Sequence, residues 1–475
     1  MRGSSTWLRR LCAGAIAGLG LALLPASAAA GTVTVIFGAT TEKSGLQAQY
    51  KIEVPSNWNG TLLLYSHGYN SFTVPVLPPD DATDPATGAY LLSQGYALAG
   101  SAYARAGWSL DQAFQDQIAL LDAFDKKVGH PTRTIPWGVS LGGMITAGLV
   151  QQFPNRFAGA LPMCGVVAGG PGVWNQGLES EFALATLQAP FKMVNFTSAA
   201  DVFANYGAAT AAVTAAQTTK EGRARIALSA ALADVPGWVD PASPEPAATD
   251  YAAQEVNQLA WDTNIDFLFA FFGRAELESP TRAGGNFSWN TGVDYRVQLA
   301  HSVDRAEVEA LYKIAGLDLN KELDKLNDAP RIAADPKAVA YVSKFITYNG
   351  DLDIPVLTVH TTGDGLVEVT DENAYASVVR SAGDSSLLRQ VYVHRAGHCT
   401  FTPAEIATAF KTLVHRIDSK HWGSIDPSTM NAQATSLGSA LNVAPASFIH
   451  FQPAQFLRPF DARNVGDEGE SGNQD

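Results

Sequence analysis

Three side chains, far apart in the chain, are of the types that together cleave acyl bonds. Ser140 lies in Gly138-Val139-Ser140-Leu141-Gly142, the pattern G-x-S-x-G. That pattern serves a serine held on a tight, strained turn, where flanking residues without side chains let a helix approach a strand. A serine is a poor nucleophile alone; a histidine must take its proton and an acid must orient that histidine. His398, in Arg395-Ala396-Gly397-His398-Cys399, falls in a loop between the last predicted strand and the last predicted helix. His394 sits within the strand and reads as a packed or edge residue, and His67 belongs to an early loop. The acid is Asp364, in Thr361-Thr362-Gly363-Asp364-Gly365, directly after a predicted strand. Asp353 precedes that strand and belongs at its other end, while Glu368 and Asp371 read as helix-starting charges. An oxyanion needs two backbone donors. One is the amide of Leu141, the residue after the serine; the other is the amide of Tyr69, in His67-Gly68-Tyr69, where Gly68 allows close approach. Tyr103 and Trp108, in one loop, are pocket candidates that either hold an acyl or aryl group or pack beneath other elements.

These residues meet only if the elements between them bring their loops to one edge. Strands are predicted at 32–37, 49–54, 61–66, 96–101, 134–137 and 157–163, with helices at 90–94, 110–128 and 142–153. The run Thr61-Leu62-Leu63-Leu64-Tyr65-Ser66 is continuous and apolar, as in a strand buried on both faces. Strands alternating with helices argue an α/β fold, a mostly parallel sheet with helices on both faces. The alternation breaks between 175 and 350, where helix-like stretches dominate at 199–217, 221–233, 251–272, 305–315 and 337–346. A span this long must be a folded, mainly helical insertion rather than a loop. Phe267, Phe269, Phe271 and Phe272 within it read as core. Strands resume at 354–360 and 388–394, followed by a helix at 403–417. Residues 423–475 form an extension whose last ten, 466–475, are acidic and glycine-rich, a composition expected to stay disordered.

Composition narrows the function. Of 475 residues, 46% are hydrophobic and only 16% charged, which excludes a disordered chain. Three cysteines exclude a small disulfide scaffold. A net charge of -14 repels phosphate backbones, so no nucleic-acid partner is expected. Arg2, Arg9 and Arg10, the apolar run 11–24 and the small residues Pro25-Ala26-Ser27-Ala28-Ala29-Ala30 follow the pattern of a cleavable secretory signal over residues 1–30. Fourteen apolar residues fall short of the roughly 20 that span a bilayer, so no stable membrane anchor is expected. Losing three arginines takes the charge to -17 and leaves Cys164 and Cys399, in an oxidising compartment where they could pair.

The quoted pieces (His67-Gly68-Tyr69, Gly138 to Gly142, Gly363-Asp364, Gly397-His398), in the order Ser140, Asp364, His398, resemble the α/β-hydrolase superfamily, specifically its secreted bacterial serine esterases and depolymerases. The resemblance covers a core at 31–174 and 351–422, with the insertion at 175–350 where this family places its cap or lid. It implies hydrolysis of a small-molecule or polymeric ester, or of an amide, through an acyl-enzyme, without metal or organic cofactor. One relative, the tannase and feruloyl esterase group, bridges a cysteine before its nucleophile to one after its histidine. Here Cys399 follows His398 but Val139 precedes Ser140. The fold of the family sets the strand ending at Cys164 near the histidine loop, which implies a Cys164–Cys399 disulfide. A peptidase or an acyltransferase of the same fold would use the same triad. An exopeptidase would need a carboxylate from the insertion to bind a free amine, and the sequence singles none out.

Overall fold

The computed structural model describes residues 31–41, 44–70 and 76–460. The expected signal segment and the acidic terminus at 466–475 lie outside the described residues. Nine strands form a single sheet: β1 (Val33–Thr41), β2 (Gln47–Pro55), β3 (Thr61–Ser66), β4 (Ala97–Ser101), β5 (Arg133–Val139), β6 (Leu161–Met163), β7 (Val356–Gly363), β8 (Leu388–Ala396) and β9 (Phe448–Ile449). Their order across the sheet is β1-β2-β4-β3-β5-β6-β7-β8-β9. The pairs from β4 to β8 are parallel, while β1 with β2, β2 with β4 and β8 with β9 are antiparallel.

All six residues of β3 are buried, and their side chains alternate between two cores. Leu62 and Leu64 face one core, with Phe114, Leu121 and Phe124 of α2 (Leu110–Lys127) and Ile145 and Leu149 of α3 (Leu141–Gln152). Leu63 and Tyr65 face the other, with Leu91 of α1 (Pro85–Ser93) and Phe410 and Leu413 of the helix Pro403–Ser419. Covering both faces in this way removes every central strand from water. Each fully buried leucine contributes about 1.5–3 kcal/mol of transfer free energy.

Between β6 and β7 the chain leaves the sheet for a run of helices: α4 (Gly170–Leu187), α5 (Ala199–Ala216), α6 (Lys220–Ala233), α7 (Tyr251–Trp261), α8 (Arg274–Leu277), α9 (Tyr295–His301), α10 (Arg305–Ala315), α11 (Leu319–Asp328) and α12 (Pro336–Phe345). The predicted helix at 251–272 is not uniform: after α7 the chain widens into two π-helical stretches, Asp262–Asp266 and Leu268–Gly273. Helix α6 is the centre of the insertion. Its small residues Ala224, Ala227 and Ala231 pack toward α4, α9 and α10, its Ile226 toward Phe267 and Phe271, and its Ala230 and Ala233 toward Trp261. The insertion is tied to the sheet through Arg282, which pairs with Asp111 at 2.6 Å and Glu276 at 2.7 Å and donates to the Ala106 carbonyl. Glu276 in turn accepts from the Trp108 amide at 3.1 Å.

After β7, α13 (Asp371–Ala382) leads back to β8, and α14 (Pro403–Ser419) follows the histidine loop. Helix α14 opens on a capping box in which Thr402 and Glu405 satisfy each other's amides. The extension adds α15 (Pro427–Ser436), which buries Met430 and Ala434, and the short edge strand β9.

Candidate active site

Ser140 stands at the end of β5 with φ 58° and ψ -127°, in a backbone region costing about 1–3 kcal/mol for a non-glycine residue. The neighbouring glycines make this turn possible. A Cβ on Gly142 would lie 1.9 Å from the Ser66 carbonyl oxygen, and one on Gly138 would lie 2.4 Å from it. Strand β3 and helix α3 therefore approach at a distance that no other residue type permits. Four of the seven non-glycine residues with positive φ among the described residues (Tyr103, Ser140, Cys164, Cys399) gather at this edge. Backbone strain collects at functional sites because surrounding structure must hold it in place.

The three separated residues meet. Ser140 Oγ donates to His398 Nε2 at 2.7 Å, and His398 Nδ1 donates to Asp364 Oδ2 at 2.8 Å. Asp364 follows β7, is 1% exposed, and also accepts the amides of Leu366 and Val367, both at 3.1 Å. These bonds fix the carboxylate in the plane it needs to orient the imidazole. Cys164, the residue after β6, and Cys399 form a disulfide with Cα atoms 5.5 Å apart. It ties the histidine loop directly to the sheet.

The first turn of α3 has no side-chain cap, which leaves its first amides without a partner in the helix, and Leu141 lines the space above Ser140. Gly68 closes on the same space: a Cβ there would sit 3.4 Å from that of Ser140. His67 Nδ1 donates to the Gly68 carbonyl at 2.6 Å and holds the loop that carries Tyr69.

Tyr103 is not a pocket residue. It is fully buried, stacks on the His67 ring at 4.0 Å and donates to the His67 carbonyl at 3.4 Å. Its φ of 54° turns it under the loop rather than into the cleft. Trp108 does line the cleft, a space of about 870 Å³ that includes Ser140, Leu141 and Tyr69. Trp174 of α4 meets Trp108 edge to face at 5.5 Å. Phe267 and Phe269 also line the cleft, and Phe269 meets Tyr69 at 4.9 Å. Two of the four phenylalanines expected in the core thus also line the site, and Phe267 at the same time packs with Phe271 in a core of the insertion.

Sequence reasoning passed over His360, in the interior of β7. Its Nδ1 donates to Glu372 at 3.1 Å and its Nε2 to the Val367 carbonyl at 2.9 Å. Two acceptors for one ring require both nitrogens to carry protons. Burial opposes that charge, yet the hydrogen bond and attraction of Glu372, with Asp364 nearby, raise His360 to about 9. This imidazolium stands 3.8 Å behind the Asp364 carboxylate. Also unforeseen are the acidic side chains of the cleft: Glu181, Asp262, Asp266 and Glu368. Burial pushes Asp262 up to about 7 and Glu181 up to about 8. Burial, with repulsion from Asp262 and Asp364, pushes Asp266 well above the usual carboxylate range.

Residues 90–169, which run from within α1 to the start of α4, match the family model of the prolyl oligopeptidase family. The o-phthalyl amidase of Xanthobacter agilis is 27% identical over 420 residues, covering 82% of this chain and 89% of that protein. Among solved structures, feruloyl esterase B from Aspergillus oryzae aligns with a TM-score of 0.39 and 15% identity over 81% of this chain and 80% of its own. The rice cell wall degrading esterase LipA from Xanthomonas oryzae aligns with a TM-score of 0.37 and 13% identity over 82% and 88%. The matched segment carries β4, β5 and β6 and seats a serine on the turn between β5 and α3, and with the mostly parallel sheet around it the chain has the α/β-hydrolase fold.

Proposed function

We propose that the protein is an exported serine hydrolase that cleaves carboxylic esters through an acyl-enzyme. The observation that carries this reading is the continuous relay from Ser140 Oγ through His398 to Asp364, with both hydrogen bonds under 3 Å. In it His398 takes the serine proton as Oγ attacks the acyl carbonyl. Asp364 stabilises the imidazolium that forms, and the amides of Leu141 and Tyr69 receive the oxyanion. His398 then protonates the leaving group, and water repeats the sequence to release the acid. The aromatic walls of Trp108, Trp174, Phe267 and Phe269 suit an acyl or aryl group.

Amide cleavage is the second reading, and the 27% identity to an o-phthalyl amidase over 420 residues favours it. The same relay serves both, since protonating a poorer leaving group falls to the same histidine. Export is supported by the disulfide, which persists in oxidising compartments. Among the described residues no helix is long and apolar enough to cross a membrane.

The test is a panel of p-nitrophenyl acyl esters and acyl p-nitroanilides, with wild type and Ser140→Ala. Removing a triad nucleophile is expected to lower kcat by on the order of 10⁶-fold. Full activity in Ser140→Ala would overturn the reading.

A further inference from the structure

The ionisable side chains lining the cleft above Ser140 are all acidic, Glu181, Asp262, Asp266 and Glu368, set among aromatic and aliphatic walls that also carry the hydroxyls of Tyr69 and Ser180 and the indoles of Trp108 and Trp174. Asp262 is 2% exposed and Glu181 3% exposed, and each has one carboxylate oxygen that is shielded from solvent and meets no donor. Asp266 is half-buried as a residue, but both its carboxylate oxygens are shielded and unpartnered. Asp262, Asp266 and Ala270 recur every fourth residue along the π-helical stretches and share the face turned to the cleft. Glu368 closes the other wall, after β7.

Buried carboxyls normally find a cation or a set of donors, because an orphaned one forfeits several kcal/mol of hydration. The nearest guanidinium does not discharge this group. Arg274 stands 3.8 Å from Glu181, but it lies between the rings of Trp174 and Phe287 and donates to Ser288. Asp262 and Asp266 have no such neighbour among the charged pairs of the described residues. A bound metal ion fits poorly. Among the described residues no three cleft carboxyls come within 4.8 Å of one another, as a metal cage requires.

We infer that the cleft recognises a protonated amine on the substrate, held by Asp262 and Asp266 with Glu181 at its edge, while the aromatic walls take the group that bears it. The inference rests on the proposed function only in treating this cleft as the substrate site. An ammonium offers three donors, enough for the orphaned oxygens of two carboxylates. Its charge would return the carboxyls to their ionised state on binding. Ionised, the same carboxylates repel an anionic substituent, so a substrate carrying a free carboxylate is discriminated against.

Calorimetric titration of the Ser140→Ala variant with benzylamine, benzyl alcohol and phenylacetate tests this without any turnover. Binding of the cation at least about tenfold tighter than its neutral isostere, with the anion weakest, is expected. Asp262→Asn and Asp266→Asn should each bring the ratio of benzylamine to benzyl alcohol affinity toward one. Circular dichroism of each variant would establish its fold. Equal binding of all three ligands by Ser140→Ala would overturn the inference. So would tighter binding of phenylacetate, which would mean that the carboxyls remain protonated and donate to an anion. Loss of esterase activity in the panel above with cation preference retained would instead strike the proposed chemistry and leave the inference standing.

Discussion

Replacing both cysteines of the Cys164–Cys399 bridge by serine separates what the disulfide does for the fold from what it does for the histidine loop. The bridge closes a loop of 235 residues. In the chain-entropy treatment a loop of that size confines the unfolded chain by about 5 kcal/mol, the upper end of the 2–5 kcal/mol that removal of a native disulfide commonly costs. The loop also contains the whole insertion, so the loss should appear as a lower midpoint in urea. A second effect is local. Cys399 directly follows His398, and its sulfur lies 3.4 Å from Nε2. Without the tether the loop is held by the Thr361 hydroxyl bonded to the Gly397 carbonyl at 3.0 Å and by Arg395 bonded to the Thr400 carbonyl at 2.7 Å. A displacement of the imidazole by about 1 Å costs on the order of 100-fold in rate. The double variant should therefore lose about 2–5 kcal/mol in urea unfolding and about 10- to 100-fold in kcat on p-nitrophenyl acetate, with little change in KM. A variant within about 0.5 kcal/mol of wild type and fully active would refute the reasoning on both counts.

Two further outcomes follow from the geometry. In Gly142→Ala the new methyl would sit 1.9 Å from the Ser66 carbonyl oxygen. Strand and helix must part by roughly 1 Å, so the variant should lose about 1–3 kcal/mol and on the order of 100-fold in kcat; urea unfolding and ester turnover check both. Stability should fall as pH rises. Folding raises Asp262 from 3.8 to about 7 and Glu181 from 4.5 to about 8, so the folded protein holds protons that the unfolded chain releases. Folding also raises His360 from 6.5 to about 9, and its contribution is full below 6.5 and lost as pH passes through about 9. All three have the same sign, so Tm should decline from pH 5 to 9, and Asp262→Asn should flatten the slope between pH 4 and 7.

The core was legible because its patterns are local. Thr61-Leu62-Leu63-Leu64-Tyr65-Ser66 has no polar interruption, and β3 occupies those residues from end to end. The turn at Ser140 announces itself through Gly138 and Gly142, whose missing side chains serve a contact with Ser66 that exists only in three dimensions. What escaped depends on direction and neighbours. Tyr103 sits in the expected loop, but with a positive φ it packs beneath the loop that carries His67 and Tyr69. His360 is one residue in a strand of valines and threonines, and only the chain's return through α13 sets Glu372 beside it. Asp262 and Asp266 follow a helical pattern, where acidic residues read as a solvated face, yet both line the cleft with shielded carboxylate oxygens. Helix α4 lacks a strong 3.6-residue apolar contrast and α9 has only seven residues, so their packing around α6 was not foreseen; α11 was missed although Leu319, Leu323 and Leu326 stand at helical spacing.

The central claim is that Ser140 is the nucleophile, activated by His398 and Asp364. Labelling the purified protein with a fluorophosphonate and mapping the modified peptide tests it most directly. The account predicts one adduct per chain, on Ser140, with labelling lost in Ser140→Ala and slowed at least about 10³-fold in His398→Ala. An unlabelled Ser140 in folded protein, or an adduct on another residue that tracks esterase activity, would contradict it.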